Sequence, residues 1–423
     1  MSQQGDEAGN RQVSWPIFAF AVALGIPFSG WIREVLGDSP MGRLTFQDFG
    51  FLVLFLPLIR RVWHFRVTWD VAIVGFVNVG ILISALANAN AKGFVDVIIH
   101  VYLFFMYFVL RNLLNDTQNR RSLVRGLLVA FYASLGVAVV AKLAAISFLP
   151  QVTLALQGTF LNGSQYGSFI SVIAVPLYAA YFAQLASGQP VRELDQARWV
   201  GILLPVAVSL SPIVIFYTSK RSAMLSLLLS ALASVAVLVK VKPIRTVRMI
   251  FGVTVASVGV LAVAFAFYGD LIADLGYLAD RYLKANQIVA EDGFFVANMR
   301  YARDAFLANP LFGQGYGSHG ITSLGTNYEV HSTYLKWLGD GGLITAIPGV
   351  LMLLMTCYAI YAAAVRGMGG GRYHELFLLV FFLGLVVAMA YAYLPRRREY
   401  WVVIAYVMAV VANHRDSARA EAV

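Results

Sequence analysis

Gly341 to Ala363 reads GGLITAIPGVLMLLMTCYAIYAA, 23 residues without one charged side chain. A run of about 20 mostly apolar residues can cross a bilayer as a helix, because a helix satisfies its own backbone hydrogen bonds. The run lacks the alternating ten-residue pattern of a membrane barrel strand. It therefore predicts a membrane-spanning helix. The whole chain shares this character. Of its 423 residues, 59% are hydrophobic and only 13% charged, with a mean hydropathy of +0.72. A soluble domain carries roughly 25% charged residues. A soluble enzyme, a disordered protein and a DNA-binding regulator are excluded as primary readings. The single cysteine, Cys357, lies inside the quoted run, so neither a disulfide framework nor a cysteine-rich metal site is available. The net charge of +10 points to anionic membrane lipids as partners, not to nucleic acid.

The same criterion applied outward gives an all-α, polytopic chain with twelve expected spans. They fall near 13–31, 44–59, 70–89, 94–110, 126–148, 167–187, 199–218, 222–239, 247–268, 341–363, 375–393 and 399–413. The first is expected to be retained, because no small-residue cleavage site follows it. With the N-terminus inside, the inner segments hold 18 Lys and Arg residues and the short outer loops hold eight. This asymmetry places both termini in the cytoplasm. Two outer placements run against the trend: Lys220–Arg221 in a tight turn, and the Arg396–Arg398 triplet. Cations there suit an anionic lipid head group. No repeat or low-complexity linker divides the chain, so 1–423 is expected to form a single integral membrane domain.

One connection is unlike the rest. Residues 269–340 form an outer loop of some 70 residues, and loops of that length usually carry function. Within it, 294–309 reads as an amphipathic helix, with Arg300 and Asp304 at i,i+4 spacing and Pro310 as its stop. Gly313-Gln314-Gly315-Tyr316-Gly317 follows. It succeeds no buried strand, so a dinucleotide fold is excluded, and it offers either close backbone approach to a ligand or a tight turn. A second short helix starts at His331, and His331, Tyr334, Leu335 and Leu338 share the face expected to pack on the bundle. The six histidines are scattered, with no metal-ligand spacing among them, and no Gly-x-Ser-x-Gly elbow is present. Asp96 and His100 are at i,i+4 in the fourth span, with Asp96 expected near the membrane surface. Arginine forks with one histidine suit a reaction on a phosphate-bearing lipid. The residues alone lead to glycosyl or phosphoryl transfer on a lipid carrier.

Four segments, in order over about 155–345, sharpen this. Thr159-Phe160-Leu161-Asn162-Gly163-Ser164-Gln165 precedes the sixth span. Ser219-Lys220-Arg221-Ser222-Ala223 forms a Ser-x-Arg turn. Arg300 precedes Asn309-Pro310-Leu311-Phe312-Gly313-Gln314-Gly315. His331-Ser332-x-x-Leu335 precedes Gly339-Asp340-Gly341-Gly342-Leu343. Together they resemble the bacterial O-antigen ligase and polysaccharide polymerase family of lipid-dependent membrane glycosyltransferases. The first 150 residues resemble it only in hydropathy, and Ser332 stands where the family usually has asparagine.

The resemblance implies a donor glycan on undecaprenyl diphosphate in the outer leaflet of a bacterial inner membrane. The acceptor would be lipid A–core or another lipid-linked glycan. It implies His331, Arg300 and Arg221 as catalytic residues. Arg221 and Arg300 would stabilise the departing diphosphate, and His331 would orient or deprotonate the attacking hydroxyl. Asn162, Gln165, Ser219, Lys220, Gly313, Gly315 and Tyr334 would line the substrate site. Transfer would invert the anomeric carbon without metal, cofactor or nucleotide sugar. A polysaccharide or lipid-linked-glycan transporter or flippase is the alternative from another class. The uneven placement of the large loop argues against the two pseudo-equivalent halves that a transporter typically shows. A transferase using Glu34 and Asp38 of the first outer loop is a further alternative.

Overall fold

The computed structural model describes residues 14–28, 45–56, 64–88, 91–143, 160, 163–188, 198–218, 220–244, 246–247, 293–316, 321–323, 326–328 and 330–420, and residues 252, 255, 259 and 276 singly. Apart from one short hairpin, the regular structure in them is helical. Among the described residues, seven helical segments are long and apolar enough to cross a membrane, which makes the chain a multi-pass membrane protein. They lie in α3 (Trp69–Ala87), α4 (Ala91–Leu113), α5 (Thr117–Leu143), α6 (Gly163–Ser187), α7 (Arg198–Tyr217), α8 (Arg221–Val241) and α11 (Gly342–Gly369). Three shorter apolar helices accompany them: α1 (Ser14–Ala23), α2 (Phe46–Phe55) and α12 (His374–Ala388). The last helix, α13 (Arg398–Ala420), begins and ends in charge. The expected span at 247–268 lies outside the described residues apart from 247, 252, 255 and 259.

α6 and α13 occupy the middle of the bundle. α6 is the most enclosed of the seven long apolar segments, and Tyr400 to Val411 of α13 are buried without a break. A helix that is apolar all round belongs in such a place. α3 packs on α4 and α11, α12 packs on α6, α8 and α11, and α13 packs on α4 and α6. Pro176, Pro205, Pro212 and Pro348 all sit inside helices. Neighbouring helices and Ser or Thr side chains make that tolerable in a membrane.

The two ends of the bundle are pinned differently. At one end, Arg111 Nε and the Tyr107 hydroxyl both bind Oδ2 of Asp70, at 2.8 and 2.6 Å. Arg120 donates to the carbonyls of Leu114 and Asn115, just past the end of α4. At the opposite end lie the starts of α2, α4, α6, α8, α11 and α13 and the ends of α1, α3, α7 and α12. Here Asp48 accepts from the Thr45 N–H at 2.7 Å and takes Arg398 on both carboxylate oxygens.

This second end also carries the described part of the long connection. It comprises α9 (Gly293–Ala308), a turn over 309–316, the hairpin β1 (Ile321–Ser323) with β2 (Thr326–Tyr328), and α10 (Thr333–Gly339). The strands pair antiparallel, Ile321 opposite Tyr328. They are too short for alternation to announce them in sequence.

Candidate functional site

The turn after α9 is built against its own chain. Gly313 and Gly315 have φ of +65° and +89°, and Gly342 at the start of α11 has +62°. Such values favour glycine. Gln314 N–H donates to Gly339 O at 2.9 Å, Gly315 N–H to Asp340 O at 3.0 Å, and Leu343 N–H to Pro310 O at 2.9 Å. A Cβ on Gly313 would stand 2.5 Å from Gly339 O, and one on Gly315 would stand 2.6 Å from Asn88 Cβ. Ser84 Oγ of α3 donates to Phe312 O and Asp340 O at 2.7 and 2.8 Å. Of the two roles open in sequence, the tight turn is the one observed: both glycines are buried against protein.

His331 precedes α10 instead of opening it. Ser332 is the N-cap, and its side chain accepts from Leu335 N–H at 3.4 Å. The His331 N–H donates to Oδ1 of Asn298 at 3.3 Å, and the residue is exposed. The expected packing face is therefore corrected. Helical spacing cannot be counted from a residue outside the helix, and the buried side of α10 is Thr333, Lys336, Trp337 and Gly339. Thr333 Oγ1 donates to Ala392 O at 2.6 Å, and its N–H donates to Met389 O at 2.9 Å. The Tyr334 hydroxyl is spent on Val386 O at 2.6 Å, and burial pushes its pKa up to about 12.

The buried side of α10 holds charge. Lys336 Nζ lies 3.0 Å from Asp340 Oδ2, both side chains being fully buried. The other carboxylate oxygen accepts from the Tyr301 hydroxyl at 2.9 Å. The ammonium also stands 5.5 Å from the Tyr316 ring centre and 5.0 Å from that of Tyr393. Burial, with Tyr393 alongside, keeps the Tyr316 pKa well above the ordinary tyrosine value. Tyr393 reaches His100 Nε2 at 2.7 Å, while His100 Nδ1 lies 2.7 Å from the Asp96 carbonyl oxygen. Tyr316 and Asp340 fall inside motifs quoted from the sequence but were given no role of their own there, and Lys336, Tyr301 and Tyr393 were not marked at all. The available signal was a Lys and an Asp four residues apart in an otherwise uncharged stretch.

Asp96 and His100 are both buried. His100 binds the Asp96 backbone carbonyl, not its carboxylate, and the carboxylate meets Arg396 at 3.1 Å. The Arg396–Arg398 triplet thus divides. Arg396 pairs with Asp96 of α4, and Arg398 pairs with Asp48 of α2. Arg397 acts on Lys220. Lys220 is half-buried at the N-cap of α8 beside Gly167, and burial followed by the charge of Arg397 pushes its pKa down to about 8. Arg221 begins α8 and is half-buried, and Gln165 is half-buried in the first turn of α6.

Arg300 is exposed on α9. Asn298, Ala302 and Ala305 form the buried side of that helix, and two residues of helix turn Arg300 about 200° from Asn298. Asp304 pairs with its neighbour Arg303 at 2.7 Å on the surface, in place of the expected Arg300 partner. Asn162 and Ser219 lie outside the described residues. Lys220 and Arg221 at the start of α8 and Gln165 in α6 thus sit at the same end of the bundle as His331 and Arg300, which belong to other elements.

No protein-family profile and no curated protein matches the chain.

Proposed function

We propose that the chain is a membrane glycosyltransferase of the O-antigen ligase and polysaccharide polymerase type. Twelve spans cross a bacterial inner membrane as a single domain, with both termini cytoplasmic. The bundle end that carries His331 then faces the periplasm. The donor is a glycan on undecaprenyl diphosphate, and the acceptor is a hydroxyl of lipid A–core or of another lipid-linked glycan.

One observation carries this reading. An exposed histidine stands at the head of a helix anchored by buried polar bonds, at the bundle end that gathers Lys220, Arg221 and Arg396–Arg398. The chemistry balances with those groups. The acceptor oxygen attacks the anomeric carbon, and His331 takes its proton. The new carbon–oxygen bond forms as the bond to phosphate oxygen breaks, and the electron pair leaves with the diphosphate. Attack from the face opposite the leaving group inverts the carbon. Arg221 and Arg300 hold the developing negative charge, and Lys220 adds to the field. Asn162 and Gln165 bind sugar hydroxyls. No metal is assigned a step.

Reconstitution in lipid tests the reading. Purified protein receives undecaprenyl-diphosphate glycan with lipid A–core, or with no added acceptor. Product only with lipid A–core identifies a ligase, and a ladder of longer lipid-linked glycan identifies a polymerase. Lipid movement across the bilayer with no new glycosidic bond would overturn the proposal in favour of a flippase.

A further inference from the structure

α10 spans only seven residues, Thr333–Gly339, too few to persist as an isolated helix. Its buried side nevertheless spends space on an ammonium, with a carboxylate just beyond its end, both fully shielded from solvent. Apolar residues of similar volume often stabilise a fold as well as or better than a buried ion pair does. What the pair adds over apolar packing is direction. One Asp340 oxygen is bound to Lys336 of α10 and the other to Tyr301 of α9. The ammonium is set between two rings, Tyr316 from the glycine turn and Tyr393 from the α12–α13 connection. Four separate pieces of chain thus converge on one charge pair. Apolar surfaces can slide past each other, whereas this set of bonds is met in one rotation of α9 only. Tyr301 is the immediate neighbour of Arg300, and Lys336 lies five residues beyond His331.

We propose that Tyr301, Asp340 and Lys336 form a positioning unit. It holds α9 in one rotation against α10, and so fixes the direction in which Arg300 leaves α9 relative to His331. The catalytic weight of that relation rests on the glycosyl-transfer reading above; the geometric relation does not.

Two readouts test it on the full chain in lipid nanodiscs. The first is the distance distribution between nitroxide labels at Arg303→Cys and Leu354→Cys, in a Cys357→Ala background. Arg303 is exposed on α9, and Leu354 is exposed on α11. The unmutated triad should give one narrow distribution. Tyr301→Phe, which removes only a hydroxyl, should broaden or displace it. Lys336→Met with Asp340→Leu, which removes both charges together, should do so further. The second readout is transfer. Misplacing a reacting group by about 1 Å costs roughly 10²-fold, so kcat should fall about 10- to 100-fold while donor KM stays within about twofold. An unchanged distance distribution overturns the proposal, and so does a fall confined to KM. If the unmutated chain transfers no glycan at all, the functional reading fails, and the distance distributions alone then decide the positioning claim.

Discussion

Arg396 sets a guanidinium nitrogen 3.1 Å from a carboxylate oxygen of Asp96, joining the α12–α13 connection to the first turns of α4. Asp96 is 4% exposed and Arg396 24% exposed at the side chain. Removing the buried partner leaves a partly shielded charge behind. Asp96→Asn should therefore cost about 2 kcal/mol, below the roughly 3–5 expected for a fully buried pair. Arg396→Gln should cost more, because it takes this partner from a carboxylate that is only 4% exposed. Thermal unfolding of both variants in one detergent gives the comparison.

The glycine turn makes a sharper pair of predictions. Gly313→Ala combines a φ of +65° with a Cβ 2.5 Å from Gly339 O. It should destabilise by about 1–3 kcal/mol or more. Gly136 and Gly201 meet nothing within 4 Å, and alanine there should be neutral or slightly stabilising. Melting temperatures of the three variants separate the cases. Equal losses at all three would contradict the assigned turn geometry.

Lys220 predicts a pH dependence. Its amine is charged below about 8 and neutral above. A diphosphate held by that charge binds more weakly as pH rises through about 8, so donor KM should climb there. Lys220→Arg keeps its charge to far higher pH and should abolish the rise. Folding has the opposite sign. The folded pKa lies below the unfolded value of about 10.4, so burying the charged amine is unfavourable below about pH 8. That penalty is relieved between about 8 and 10.4. Stability and donor affinity should therefore move in opposite directions over that interval.

Arg221→Ala and Arg300→Ala should each lower kcat about 10²–10³-fold if both stabilise the leaving diphosphate. Lysine at either position should restore only part of the rate, because an ammonium lacks the bidentate fork. A full rate in Arg300→Ala would remove that residue from the chemistry and leave it an exposed helix cation.

Much of the fold was legible in the sequence because hydrocarbon permits so few backbone solutions. Trp69–Ala87, Arg198–Tyr217 and Gly342–Gly369 coincide with expected spans to within a few residues, apart from the C-terminal tail of the last. The α9 helix and its stop at Pro310 were equally legible, from amphipathic spacing and a residue that cannot continue a helix. The site was less so. Ser332 resembles any serine until its hydroxyl is seen capping α10, and that cap removes His331 from the helical register. Lys336 and Asp340 sit in a stretch whose apolar neighbours gave no reason to bury them. The partners of Arg396 and Arg398 lie 300 and 350 residues away, a separation that no local pattern reports.

His331→Ala in the reconstituted system tests the central claim most directly. With undecaprenyl-diphosphate glycan and acceptor supplied, and with chelator present in parallel samples, the unmutated protein should form the new glycosidic bond at the same rate either way. The variant should lose about 10²–10⁴-fold in kcat while remaining folded. An undiminished rate in His331→Ala, or a rate lost to chelator and restored by Mg²⁺, would contradict the account.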